Sequence, residues 1–202
     1  MKVLNLFAGI GGNRKHWDAD VTAVELNPQI AEVYQKNYPD DLVIVGDAHE
    51  YLHDNYEQFD FIWSSPPCQS HSKMVKATRH DVRKYPDMML YQEIILLKEF
   101  FKGKWVVENV MPYYDPMMNP VKIGRHLFWS NFYIGQFNEP RIKDFINTED
   151  PERLKKWLGI NYEGNIYYDG NHSPSQVLRN AVHPDLGNHV FKCAKKYGYY
   201  VI

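Results

Sequence analysis

Cysteine is almost missing from this chain: of 202 residues, only Cys68 and Cys193 carry a thiol. Two thiols so far apart form neither a disulfide framework nor a zinc spacing, so stapled and zinc-cluster folds are set aside and no metal is expected. No apolar run reaches membrane-spanning length, and no signal-peptide pattern opens the chain, because Met1 to Phe7 runs into glycine too soon. The expectation is an intracellular, cytoplasmic protein in a reducing setting, with no membrane partner. An excess of one charge is also lacking: the net charge is -2, without the bulk signature of a polybasic nucleic-acid binder. Internal repeats and low-complexity tracts are absent as well. What the chain does have is a hydrophobic fraction of 44%, enough to offset the entropy of ordering one domain with a small appendage. Its aromatics, 15% of residues, are expected mostly in that core.

Apolar runs alternate with helical patterns through the first two-thirds. Strands are expected at Val3–Phe7, Val21–Leu26, Leu42–Val45, Phe59–Ser64 and Trp105–Val107, with a further one over Leu127–Phe132. Helices are expected at Pro28–Asn37, where proline occupies the first turn, at His49–Tyr56, and at Asp87–Phe101. The last of these is apolar nearly all round and reads as packed on more than one side. The βαβα rhythm predicts an α/β protein with a Rossmann-like, mostly parallel sheet and helices on both faces. From Gln136 to Asn171 the rhythm fails and the chain turns polar, apart from a short helix near Arg153–Leu158. A final helix is expected near Asp185–Tyr197.

Three places carry chemistry. Phe7-Ala8-Gly9-Ile10-Gly11-Gly12-Asn13 follows the first strand, where glycines let a ligand approach the backbone at a strand-to-helix turn. A dinucleotide fingerprint would need glycine at position 14, which is Arg14, so a nicotinamide enzyme is disfavoured. Glu25 and Asp47 close the second and third strands, placed to bind ribose hydroxyls and an adenine amino group. Three such features at successive strand ends define one nucleoside-cofactor cleft at the carboxyl edge of the sheet. Next, Pro66-Pro67-Cys68-Gln69 ends the fourth strand. Two prolines cannot continue a ladder, so the chain turns out of the sheet and presents a thiol. Glu108, ending the fifth strand, is its expected partner across the cleft. A cysteine hydrolase pairing Cys68 with His71 is the competing chemistry, but a loop histidine at that spacing is expected in solvent, and a hydrolase does not need the glycine cleft. Finally, the stretch from His71 to Lys84 is net basic: Lys73, Lys76, Arg79 and Arg83 offer a surface for phosphates.

These residues resemble the cytosine-5 DNA methyltransferase family. Asn5 to Gly12 is similar to its first motif, Val24-Glu25-Leu26-Asn27 and Gly46-Asp47-Ala48 to the second and third, and Ser65-Pro66-Pro67-Cys68-Gln69-Ser70 to the nucleophile motif. Glu108-Asn109-Val110 resembles the target-cytosine motif, Arg125 to Asn131 the arginine motif, and Gln176 to Val182 the final motif that returns to the cofactor. The resemblance implies a class I methyltransferase fold and S-adenosylmethionine, held by Phe7, Ala8, Gly9, Gly11, Gly12, Glu25, Leu26, Asp47, Ala48, Pro66, Asn180 and Ala181. It implies Cys68 as the nucleophile on C6 of a flipped cytosine, Glu108 as the acid at N3, and Arg125 at the cytosine O2, with His126 as the alternative register. DNA is the implied partner, contacted by Gln69, Ser70 and the basic residues Lys73, Lys76, Arg79 and Arg83. The division implied is a catalytic core over 1–131, a short recognition region over 132–171 and a return to the core over 172–202. So small a recognition region predicts a short site, loose specificity or help from a second polypeptide. RNA or a nucleotide as substrate, and a silent cofactor- or DNA-binding module, stay open as alternatives.

Overall fold

The structure, a computed structural model, describes residues 1–73, 85–143, 145, 150–167 and 173–199. Its seven strands are β1 (Lys2–Leu6), β2 (Asp20–Glu25), β3 (Leu42–Val45), β4 (Phe61–Ser64), β5 (Lys104–Val110), β6 (Val121–Ile123) and β7 (His126–Ser130). They form a single sheet in the order β3-β2-β1-β4-β5-β7-β6. The first five run parallel, and β7 enters antiparallel between β5 and β6. The helices are α1 (Pro28–Asn37), α2 (Ala48–Asn55), α3 (Met89–Glu99), α4 (Pro151–Leu158), α5 (Gln176–Asn180) and α6 (Pro184–Lys196). This is the Rossmann-like α/β sheet expected from the rhythm. The strand β6, lying between Pro120 and Gly124, and the one-turn α5 are additions that the pattern did not announce.

Strand alternation sorts the core into two layers. Val3, Val21, Phe61, Trp63, Val106 and Phe128 point to one face, where Leu186, Val190 and Phe191 of α6 cover them. Leu4, Leu6, Ile62, Trp105 and Val107 point to the other, against Leu52 of α2 and Leu90, Ile94 and Leu97 of α3. The aromatics do serve the core: Trp17 stacks on Phe191, and Trp63, Trp105 and Trp129 are fully buried. Helix α3 corrects one expectation. It packs through a single face, and Ile95 and the following Phe100 lie exposed.

The connection from β1 to β2 is a second correction. No helix follows the glycine loop; the chain descends through i→i+3 turns, Gly11 N to Ala8 O, Arg14 N to Gly11 O and Trp17 N to Arg14 O. The volume that a helix would need is taken by α6, whose Gly187 sits so close to the backbone of Asn13 that any side chain there would collide with it. Trp17 Nε1 donates to the Gly187 carbonyl and closes the contact.

Part of the segment 132–171 packs against the core. Leu154, Leu158, Ile160 and Ile166 pack with Ile10, Ile30 and Val33. Phe132 and Ile134 join the α6 face of the sheet.

Candidate active site

Strand order reverses between β1 and β4, and the crevice beyond their carboxyl ends is where an open α/β sheet takes its ligand. A cavity of about 730 Å³ opens there. It is bordered by Phe7, Ala8, Gly9 and Gly12 after β1, Glu25 and Leu26 at the end of β2, and Asp47 and Ala48 after β3. Pro66, Cys68 and Gln69 after β4, Glu108 on β5, Arg125 and His126 at β7, and Asn180 and Ala181 at α5 border it as well.

The β1–β3 side is shaped by backbone. Phe7 and Gly9 both adopt left-handed conformations, with φ of 52° and 55°. A Cβ at Gly9 would meet nothing within 4 Å, so the missing side chain leaves the floor open rather than filling a gap. Glu25 is a structural brace: Oε2 accepts from Gly9 N at 2.9 Å and Oε1 from Asn27 N at 2.9 Å. Burial raises its pKa, against these backbone donors. Asp47 caps α2, its Oδ1 accepting from His49 N and Glu50 N. Gly11 is off the cavity wall. Its φ is 79°, its carbonyl accepts from the Tyr38 hydroxyl at 2.7 Å, and a side chain there would strike the rings of Tyr34 and Tyr38. Beside Phe7, an ion pair missed from the sequence joins His49 Nδ1 to the buried Glu93 Oε1 at 2.6 Å. Glu93 Oε2 in turn accepts from Ser64 Oγ, also at 2.6 Å.

The other side is shaped by side chains. Asn109 Nδ2 donates to Pro66 O at 3.0 Å, tying β5 to the turn that carries the thiol. Beyond Cys68, its carbonyl accepts from His71 N and Ser72 N, and Ser72 bridges to Pro112. Cys68 is half-buried at the cavity wall, whereas Cys193 is buried in α6. Burial, then the charge of Glu108, pushes the Cys68 thiol up; Arg125 acts in the opposite sense. His71 corrects an expectation: it is buried rather than in solvent, its Nδ1 meets Tyr114 Oη at 2.5 Å, and it does not border the cavity that Cys68 lines.

Glu108 is nearly buried, and its Oε1 lies 2.6 Å from His126 Nδ1. Arg125 donates through one NH2 to the carbonyls of Arg179, at 2.9 Å, and Ala181, at 3.3 Å, and its guanidinium stacks 4.4 Å from the Phe145 ring centroid. It therefore clamps the C-terminal segment against the cavity, while His126 is the residue in contact with Glu108. Burial lowers the Arg125 pKa, against the nearby carboxylates.

Ser70 accepts from Asp87 N at 2.9 Å and is outside the cavity wall. Lys73 is exposed on the surface beyond the Cys68 turn; Lys76, Arg79 and Arg83 lie outside the described residues. Among the described residues, no cluster of metal-ligating side chains is present, and no helix is long and apolar enough to cross a membrane.

Residues 1–116 match the family model described as C-5 cytosine-specific DNA methylase. The chain belongs to that family. Among curated proteins, it is similar to the type II methyltransferase M1.HphI of Haemophilus parahaemolyticus, 29% identical over 118 residues, covering 53% of this chain and 32% of that protein. It is also similar to the type II methyltransferase M1.HgaI of Avibacterium volantium, 28% identical over 167 residues, covering 73% of this chain and 45% of the relative. The chain thus spans less than half the length of the curated relatives it matches. Among solved structures it is similar to the Entamoeba histolytica methyltransferase EhMeth, with 12% identity, coverage of 96% and 97% of the two chains and a TM-score of 0.47.

Proposed function

We propose that this chain is a DNA (cytosine-5)-methyltransferase that uses S-adenosylmethionine. The observation that carries this reading is that one crevice, at the switch point of the sheet, gathers the backbone-lined ends of β1–β3 together with Cys68, Glu108 and Arg125, in a member of the C-5 cytosine methylase family.

The β1–β3 side fits the cofactor. Gly9 leaves open floor, Glu25 and Asp47 each keep acceptor capacity beside the cavity, and Phe7 offers a ring face for adenine. Ala8, Gly12, Leu26, Ala48, Pro66, Asn180 and Ala181 complete that side. When bound there, the sulfonium supplies the methyl group. Gly11 serves by holding the turn rather than by contact.

The chain's own residues supply the rest. A stacked cytosine hides its ring carbons, so the base must leave the duplex to reach Cys68. Cys68 gives its proton to solvent, the thiolate sulfur adds to C6, and the C5–C6 π electrons move towards C5 and the N3–C4 system. As the base binds, Glu108 Oε2 takes up a proton from solvent and gives it to N3, neutralising the charge that develops there, while Oε1 stays on His126. Arg125, held at one NH2 by backbone carbonyls, offers its remaining N–H groups to the cytosine O2. After methyl transfer to C5, N3 returns its proton to Glu108, a base removes the C5 proton, and the C5–H electrons re-form the C5–C6 double bond as Cys68 leaves as the thiolate.

Gln69 borders the cavity, and Lys73 lies on the loop beyond, placed for DNA contacts together with Ser70. With much of 150–167 committed to the core, few of the described side chains in that stretch are left to read base edges. We therefore favour a short recognition sequence or a second polypeptide that shares the readout. A cytoplasmic setting accords with a DNA substrate.

A 5-fluorocytosine duplex tests the reading, because fluorine at C5 blocks the release of Cys68. With cofactor present, the wild-type chain is expected to form a stable DNA adduct. Cys68→Ser should abolish it while cofactor affinity stays within about twofold. An adduct that survives this change overturns the assignment. Running tRNA beside the duplex separates an RNA substrate from DNA.

A further inference from the structure

We infer that Glu139, which belongs to none of the recognised motifs, is a positioning residue for Glu108 and acts through His126. The inference rests on the methyltransferase reading and deepens it. Three side chains from three parts of the chain form one buried line. Glu108 comes from β5, His126 from β7 and Glu139 from the segment after β7, with side chains only 8%, 2% and 10% exposed. His126 Nδ1 is 2.6 Å from Glu108 Oε1, and His126 Nε2 is 3.3 Å from Glu139 Oε1, an ion-pair contact rather than an aligned hydrogen bond.

An imidazole with a carboxylate at each nitrogen is held as an imidazolium, since a neutral ring would turn a lone pair on one of them. Held from both ends, the ring cannot rotate without losing a partner, so Glu108 Oε1 is fixed and Oε2 is left for the base in the cavity. Removing one charge from such a buried line leaves the others uncompensated.

A second feature shows that the chain makes room for this carboxylate. Gly124, two residues before His126, has φ of 57°, and a Cβ there would lie 2.5 Å from Glu139 Oε2. The charged groups around His126 are Glu108 from β5, Glu139 from the following segment and Arg125 beside it; His183 also acts on Glu139. Burial works against the charged ring, but the two carboxylates outweigh it and raise the His126 pKa, while His126 helps to hold that of Glu139 down.

The sign of the pH effect follows. A raised histidine pKa means that the imidazolium persists below it and is lost as pH rises through it. Turnover that needs a fixed Glu108 therefore has an alkaline limb set by His126. Neutralising Glu139 moves that limb to lower pH.

Nitrogen NMR of the histidine rings in the full chain, with His126 assigned by His126→Asn, is the first arm. Wild type is expected to keep both ring nitrogens of His126 protonated to a higher pH than Glu139→Gln does. In the second arm, methylation of duplex DNA, Glu139→Gln should lower kcat about tenfold, leave both KM values within about twofold and move the alkaline limb to lower pH. Gly124→Ala should reproduce that pattern by displacing the carboxylate, and Glu139→Asp should restore part of the rate. A His126 titration indifferent to Glu139, or a loss of rate that is uniform with pH, overturns the inference. A wild-type chain that transfers no methyl group overturns the functional reading instead, and the NMR arm still decides the histidine line.

Discussion

The two sides of the crevice are built differently. The β1–β3 side is a backbone surface: Phe7 and Gly9 in left-handed conformations, with Glu25 and Asp47 each bonded to amides within two to sixteen residues. The β4–β5–β7 side is a side-chain surface. Glu108 reaches His126 across 18 residues, Asn109 reaches Pro66 across 43, and Arg125 reaches Arg179 across 54. A backbone surface has its shape once the turns close, with Glu25 and the His49–Glu93 pair bracing it. A surface of buried charges keeps its shape only while every partner stays in place and correctly protonated. Substitutions on the first side should therefore alter affinity, and those on the second should alter rate and pH dependence.

The largest expected effect sharpens that division. Glu108→Gln keeps the shape of the side chain but removes the transferable proton. Turnover on duplex DNA should fall by about 10² to 10⁴-fold, the range of a lost general acid, while cofactor affinity measured by calorimetry stays within about twofold. A comparable loss of cofactor affinity would show that the two sides are one cooperative unit and would break the comparison.

The mirror experiment is Glu25→Ala. It removes a carboxylate that braces Gly9 and Asn27 and that borders the crevice. Hydrogen bonds to charged groups contribute about 1.5–3 kcal/mol each, so cofactor affinity should weaken about 10- to 100-fold, with kcat at saturating cofactor little changed. A fall in kcat with unaltered affinity would assign Glu25 to the chemistry instead.

The same division governs what the sequence makes legible. Each piece of the backbone side is local: a glycine run after an apolar strand, an acid at a strand end, a proline in a first helical turn. Such signals are written in a few adjacent residues, and they place Gly9, Glu25 and Asp47 at the crevice before any fold is known. Even there, a local signal overreached at the glycine loop. Gly11-Gly12-Asn13 reads as the launch of a helix, yet the chain runs on in turns whose backbone packs directly on Gly187 of α6, far along the chain. The apolar girdle of α3 misled in a similar way, because helical periodicity cannot tell a second packed face from an exposed Ile95. On the side-chain surface, Cys68 and Glu108 are legible because prolines and strand ends mark them. Glu139 and the His49–Glu93 pair are not, for nothing nearby in sequence hints at a partner. Whether His126 or Arg125 touches Glu108 is decided only by the antiparallel register that sets His126 opposite Val110, two residues on from Glu108 on the same strand face.

The smallest expected effect is also the most direct probe of charge across the crevice. Cys68 is raised first by burial and then by Glu108, and lowered by Arg125. Without substrate, its alkylation by iodoacetamide should rise with pH through a midpoint above the usual cysteine value of about 8.5, because only the thiolate reacts. Glu108→Gln removes a negative neighbour and should move that midpoint to lower pH; Arg125→Met removes a positive one and should move it higher. Burial is the leading cause and survives both changes, so each shift should alter the rate at fixed pH only a few-fold. His126 loses a partner in the first variant, but it is not among the groups acting on the thiol. Opposite shifts from two substitutions on the same wall would show that Cys68, Glu108 and Arg125 act on one another through the crevice; shifts of the same sign would mean that the thiol responds to loosened packing, and the charge-built account of this side would fall.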